Sequence, residues 1–136
     1  KLMSVGAELL LKTVNNIFTN TFSRKKQIIS DKDKLAPKID KELCKINLKK
    51  SSKEIVRLIK GLSPYPGAKL KFNNKYYKII DCKKTDINYS NKSIMFVENN
   101  KLYLKNFKNE SIEILELQAE GKKIMKSSDF LRGNKL

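Results

Sequence analysis

Lys69-Leu70-Lys71-Phe72-Asn73-Asn74-Lys75-Tyr76-Tyr77-Lys78-Ile79-Ile80-Asp81-Cys82 is the stretch on which the fold turns. Apolar side chains recur at every second residue on both sides of Asn73-Asn74: Leu70 and Phe72 before it, Tyr77 and Ile79 after it, with Asp81 in the same phase. A period of two is that of a strand. An Asn-Asn pair tolerates the left-handed backbone that a two-residue hairpin turn requires. Tyr76, Lys78, Ile80 and Cys82 fall on the other face of the second strand. Residues 83–92 read as a polar loop. The pattern then repeats, with Ile94 and Phe96 set against Leu102 and Leu104 across Asn99-Asn100. Ile112 and Ile114 alternate before Leu115 and Leu117 resume on the shifted phase, which predicts a bulge near Ile114. Five short strands after one helix predict a mainly β domain with flanking helices. The architecture expected is a small OB-like antiparallel β-barrel, closed or nearly so, preceded by a helix and a basic linker.

Upstream of the hairpin, residues 51–62 read as a helix. Ser51 and Glu54 have the spacing of a capping box. Ile55, Leu58, Ile59 and Leu62 share one face, Lys53, Arg57 and Lys60 the opposite one, and Gly61 suits a C-terminal cap. That basic face is either a solvated back or a phosphate-facing ridge. Ser63-Pro64-Tyr65-Pro66-Gly67-Ala68 then predicts a rigid connector, with Gly67 reversing the chain; Tyr65 either braces it or stacks on a base. At the other end, Ala7, Leu10, Leu11, Val14, Ile17 and Phe18 repeat at helical spacing over residues 6–18. Residues 19–50 are polar and aperiodic, as in a linker. Ser127 or Ser128 is expected to cap a last short helix holding Phe130 and Leu131.

The 136 residues suffice for one domain, or one and part of another, and 40% hydrophobic composition suffices for a core. Thirty Lys and Arg against 14 Asp and Glu give a net charge of +16. Such an excess favours a polyanionic partner, nucleic acid first and an anionic membrane surface second; a Lys-biased composition is the plain alternative. Residues 22–60 hold 13 basic against 5 acidic residues, so the excess is concentrated rather than spread. There is no His, and Cys44 and Cys82 stand far apart. That excludes a His-dependent catalytic set and argues against structural zinc; two reduced, half-buried thiols are expected. Asp31 and Asp33 read as solvated charges in a Lys-rich tether. No apolar run approaches membrane-spanning length. The chain begins Lys1-Leu2-Met3 and reads as a piece of something longer.

Leu117-Gln118-Ala119-Glu120-Gly121-Lys122-Lys123-Ile124-Met125, followed by Ser127-Ser128-Asp129-Phe130-Leu131-Arg132-Gly133, resembles the end of the methionyl-tRNA formyltransferase family. Pro64-Tyr65-Pro66-Gly67-Ala68 is similar to that family's Pro-Trp-Pro-Gly-Ala, with Tyr in place of Trp. Ala36-Pro37-Lys38-Ile39-Asp40-Lys41-Glu42 resembles its linker string, and Ile46-Asn47-Leu48 replaces an Ile-Asp-Trp. Gly6-Ala7-Glu8-Leu9-Leu10-Leu11 resembles the last large helix of its catalytic domain.

The resemblance implies residues 1–21 as that helix, 22–50 as basic linker and 51–136 as an OB-like tRNA-binding domain. It implies initiator methionyl-tRNA as partner and 10-formyltetrahydrofolate as co-substrate of the full cytoplasmic enzyme. It also implies a catalytic centre outside this chain, so the fragment alone binds no cofactor or metal and is inactive. No membrane partner is expected; the oligomeric state is open, with a monomer the default. By resemblance, Lys38, Lys41, Lys122 and Lys123 hold tRNA. Spacing and charge add Lys25, Lys26, Lys53, Arg57, Lys60 and Arg132, all as phosphate contacts that position rather than specify. Two other readings stay open. One is a stand-alone RNA-binding barrel that stacks bases on Tyr65, Tyr76, Tyr77 or Phe96. The other is the C-terminal scaffold domain of a sugar or folate formyltransferase.

Overall fold

The computed structural model describes residues 2–30, 36–89 and 92–134. Asp31 and Asp33, with the rest of 31–35, and residues 90–91 of the expected loop lie outside them. The chain divides into two compact units, Lys1–Pro37 and Lys38–Leu136. The first contains α1 (Leu2–Phe18), which has no buried residue. Its apolar face is present as a face but open, with Leu10 66% and Leu11 65% exposed. Residues 21–30 follow without regular structure.

The second unit carries α2 (Ser52–Leu62), β1 (Ala68–Phe72), β2 (Lys75–Asn88), β3 (Met95–Glu98), β4 (Lys101–Lys105), β5 (Glu110–Ala119), β6 (Met125–Lys126) and α3 (Ser127–Gly133). The sheet is antiparallel in the order β1-β2-β5-β4-β3, with β6 also on β5. It is mainly β, as expected, but it does not close into a barrel. β1 and β3 are its two margins, and the outer side of β1 is taken by the chain before α2. There Ile46 N donates to Lys69 O at 2.8 Å and Lys69 N to Cys44 O at 2.7 Å, a parallel bridge between Lys45 and Lys69. The compact unit therefore starts inside the stretch read as linker, and Cys44 and Ile46 are buried.

Both hairpins turn where the Asn pairs stand: Asn73 and Asn74 have φ of 47° and 61°, Asn99 and Asn100 of 48° and 59°. Gly67 also needs its φ of 82°, and a Cβ there would lie 3.2 Å from Lys78 Cδ. β2 corrects two expectations. It runs on to Asn88, so 83–88 is strand and not loop. Its register shifts between Ile79 and Asp81 and again between Asp81 and Cys82, opposite Leu115. This irregularity turns Cys82 into the core, where it is fully buried, and leaves Asp81 at the margin accepting from Cys82 N at 2.8 Å. Burial pushes the Cys82 thiol up to about 11, with Asp81 adding to the effect. Both cysteines are free and buried rather than half-buried. Met95, not Phe96, faces the core: Met95 pairs with Leu104, while Phe96 pairs with Tyr103 on the other face. Phe96 and Tyr103 stack there at 5.3 Å, with Tyr89 against both.

One core cluster joins Ile55, Ile59 and Leu62 of α2 to Leu70, Ile79, Leu102, Ile112, Ile114, Leu117 and Phe130. Burying each such side chain is worth about 1.5–3 kcal/mol. Gly61 lies inside α2, whose C-cap is Ser63. α3 begins at Ser127 with Lys126 at its N-cap and no side-chain cap, so neither Ser127 nor Ser128 caps it.

The capping box of α2 forms as expected: Glu54 N donates to Ser51 Oγ at 3.4 Å and Ser51 N to Glu54 Oε2 at 3.0 Å. The hydroxyl and then the amide of Ser51 hold the Glu54 carboxyl down at about 2 against an ordinary 4.5. Glu110 is lowered too, first by the backbone N–H of Ser52 and then by the Asn106 amide. A depressed carboxyl stabilises the fold above its unfolded value, and that contribution is lost as pH falls through the folded one. Unfolding free energy measured in urea should therefore decline as pH drops from about 4.5 toward about 2. Glu54→Gln should flatten part of that decline; stability that rises on acidification would contradict the assignment.

Candidate nucleic-acid interface

The cations expected to meet phosphate fall into separate groups. Lys25 and Lys26 are exposed in the first unit, on the irregular 21–30 segment. In the second unit, Lys53, Arg57 and Lys60 are exposed along α2, whose opposite face enters the core through Ile55, Ile59 and Leu62. Lys38 and Lys41 are exposed ahead of the Cys44–Ile46 bridge, and Lys122 and Lys123 in the turn after β5. That turn depends on Gly121, at φ 72°. It is held by Lys122 N to Ala119 O at 3.0 Å and by Gln118 Nε2 to Lys122 O at 2.8 Å. Arg132 is exposed but already paired with Asp129 three residues earlier, so part of its charge is spent locally.

Sequence reasoning missed the cations that build a surface. Outward-facing positions of β1 and β2 place Lys69 opposite Lys78 and Lys71 opposite Tyr76; Lys78 in turn stands opposite Gln118 of β5. Lys45 joins the same row through its bridge to Lys69. Together with Lys41 these residues line an open groove of about 790 Å³, walled on one side by residues 41–48 and on the other by 118–121. Gly121 of the second wall opens the turn that carries Lys122 and Lys123. It has five lysines against two glutamates, Glu42 and Glu120. Glu42 is engaged by Lys45 at 2.7 Å, and that hydrogen bond raises the Lys45 ammonium. Among the described residues no ion pair involves Lys41, Lys69, Lys71 or Lys78. Period-two alternation puts Lys69, Lys71 and Lys78 outward, but only the long-range Lys45–Lys69 bridge turns the row into a groove. The groove and the α2 ridge leave the shared core in different directions, because both elements bury their opposite faces in it.

Of the aromatic rings set against RNA, Tyr77 and Phe96 are buried, Tyr65 is 85% exposed and Tyr76 is 48% exposed in the groove. Tyr77 instead meets Phe130 edge-on at 5.9 Å. Among the described residues no group of three or more His, Cys, Asp or Glu is placed to hold a metal. No helix there is long and apolar enough to cross a membrane.

Residues 38–135 match the family model "Formyl transferase, C-terminal domain", in keeping with the resemblance read from Leu117–Gly133. The chain is 38% identical over 145 residues to methionyl-tRNA formyltransferase of Azobacteroides pseudotrichonymphae genomovar. CFP2, covering 98% of this chain and 45% of that protein. It is 35% identical over 136 residues to the enzyme of the same name from Lactobacillus johnsonii, covering 98% and 42%. The chain thus spans less than half the length of these relatives. Among solved structures, a variant of HypX from Aquifex aeolicus superposes with a TM-score of 0.66 at 17% identity, over 94% of this chain and 24% of that one. At that identity the likeness is one of fold.

Proposed function

The chain belongs to the formyl transferase C-terminal domain family, and from that premise we propose that it is the tRNA-holding part of a methionyl-tRNA formyltransferase. The complete cytoplasmic enzyme moves the formyl group of 10-formyltetrahydrofolate onto the amino group of initiator methionyl-tRNA, at the start of protein synthesis. Folate and acceptor amine meet outside this chain, in a preceding catalytic domain against which the open apolar face of α1 would pack. Here the contribution is electrostatic: Lys and Arg side chains neutralise phosphates and bring the RNA to chemistry done elsewhere. Lys25, Lys26, Lys38, Lys41, Lys53, Arg57, Lys60, Lys122, Lys123 and Arg132 serve as phosphate contacts.

The observation that carries this reading is the groove in which Lys41, Lys45, Lys69, Lys71 and Lys78 converge next to the Lys122-Lys123 turn. A row of like charges directly opposite one another across strands is destabilising by itself, and a polyanion relieves it. The test is direct. Fluorescence anisotropy near physiological salt should give this chain a Kd for tRNA of roughly 10⁻⁴–10⁻⁶ M, the range of sequence-independent contacts, and a tighter one at low salt. Supplied with 10-formyltetrahydrofolate and methionyl-tRNA, it should release no formyl-methionyl-tRNA. Failure to bind any tRNA would return the chain to a scaffold role.

A further inference from the structure

We propose that the β1–β2 groove takes one unpaired nucleotide of the bound RNA, its base stacked on Tyr76 and its flanking phosphates held by Lys69, Lys71 and Lys78. The proposal rests on the tRNA-holding reading and names what this one site receives. A surface that met only a duplex would need charge alone, since the bases of a duplex are stacked inward and offer phosphate and sugar. This groove has a ring as well. Tyr76 is about half exposed, lines the groove and stands directly across from Lys71, whose Nζ lies 5.8 Å from the ring centroid. An aromatic face bordered by ammonium groups is the arrangement that binds a single-stranded nucleotide, the ring taking the base and the cations its backbone.

The row of charge beside it is set to follow that backbone. Lys69 and Lys78 stand directly opposite one another, with Lys71 two residues further along β1, and adjacent strands lie about 4.8 Å apart. Ammonium groups on such a row sit at a spacing that successive phosphates of an extended strand can reach. The groove, at about 790 Å³, falls within the range of cavities that enclose a ligand of nucleotide size. The other strongly exposed tyrosine, Tyr65, does not line the groove.

Tyr76→Ala, Tyr76→Phe and Tyr65→Ala would be compared by anisotropy on three labelled probes: tRNA, a short single-stranded RNA and a blunt RNA duplex. Tyr76→Ala should weaken binding to tRNA and single-stranded RNA by roughly 5- to 150-fold, the loss of one stacked base, and leave the duplex unchanged. Tyr76→Phe keeps the ring and should bind like the parent; Tyr65→Ala should too. Unchanged thermal melting of Tyr76→Ala would show that it still folds. If the parent binds tRNA while Tyr76→Ala binds all three probes as well as the parent, or loses all three equally, this assignment is overturned and the tRNA-holding reading survives. A loss confined to Tyr65→Ala would move the stacking site elsewhere. A parent chain that binds no probe would overturn both.

Discussion

Raising salt from about 50 to 200 mM should cost this chain roughly 10³–10⁵-fold in affinity for tRNA, the loss expected when about 6–10 phosphates are neutralised. The size of the effect follows from what the surface offers. Lys41, Lys69, Lys71 and Lys78 have no ion-pair partner among the described residues. Lys53, Arg57 and Lys60 stand exposed on α2, and Lys122 and Lys123 are carried on a turn held in place by hydrogen bonds. Each ammonium or guanidinium that meets phosphate releases condensed counterion, and the slope of log affinity against log salt counts these meetings. The same titration separates the groups. Replacing Lys69, Lys71 and Lys78 together by Gln should flatten the slope by about one for each phosphate that is no longer neutralised. Replacing Lys53, Arg57 and Lys60 instead reports whether the RNA reaches the α2 ridge, which leaves the core in another direction. Arg132 should contribute least, because Asp129 already holds it. An affinity indifferent to salt would overturn the electrostatic account altogether.

Asn106→Ala should destabilise the second unit by roughly 2–4 kcal/mol, the cost of leaving several part-buried polar groups without partners. Asn106 has no exposed surface and four uses. Its amide donates to Lys50 O at 2.9 Å and to Glu110 Oε2 at 2.7 Å. Its carbonyl oxygen accepts from Lys108 N at 3.0 Å and from Glu110 N at 2.8 Å. Glu110 passes the connection on, accepting from Ser52 N at 2.6 Å at the start of α2. With the alanine, Lys50 O and the Lys108 and Glu110 amides lose their partners, and the Glu110 carboxylate loses one of its donors. Near 100 residues, each kcal/mol lowers the melting temperature by about 4–8 °C, so calorimetry will read the change. Asn106→Asp should also destabilise, since it returns an acceptor where Lys50 O needs a donor. A melt that moves by less than about 4 °C in Asn106→Ala would mean that water replaces the amide at little cost.

What is legible in the sequence is local. Asn73-Asn74 and Asn99-Asn100 announce their turns because few residues accept a positive φ. Ser51 and Glu54 announce the start of α2 because each answers the other within three residues. The alternation of Leu70, Tyr77 and Ile79 follows from a pleat with one buried face. What escapes a local reading is set by distant partners. The Asn106 clamp joins residues 56 and 58 positions apart, and nothing near Asn106 distinguishes it from a loop asparagine. Alternation alone places Phe96 inward, yet its pairing with Tyr103 carries it to a face covered by Tyr89. The irregular register around Ile80 and Leu115 reverses the phase of Cys82, which strict alternation cannot foresee. Of the proposed interface, the cations are visible one by one. The groove that gathers Lys41 with Lys45, Lys69, Lys71 and Lys78 is not, because it exists only once Cys44–Ile46 lies along β1.

That last pairing also protects the molecule from its own kind. A bare margin strand offers unused amides and carbonyls to any neighbour, and proteins that leave one uncovered tend to self-associate. Here the backbone of Cys44–Ile46 occupies Lys69 with two hydrogen bonds, and the lysines alongside repel a second copy. A shortened version beginning after Ile46 would strip away that guard together with the buried Cys44 and Ile46 side chains, and its exposed margin would then invite association between copies.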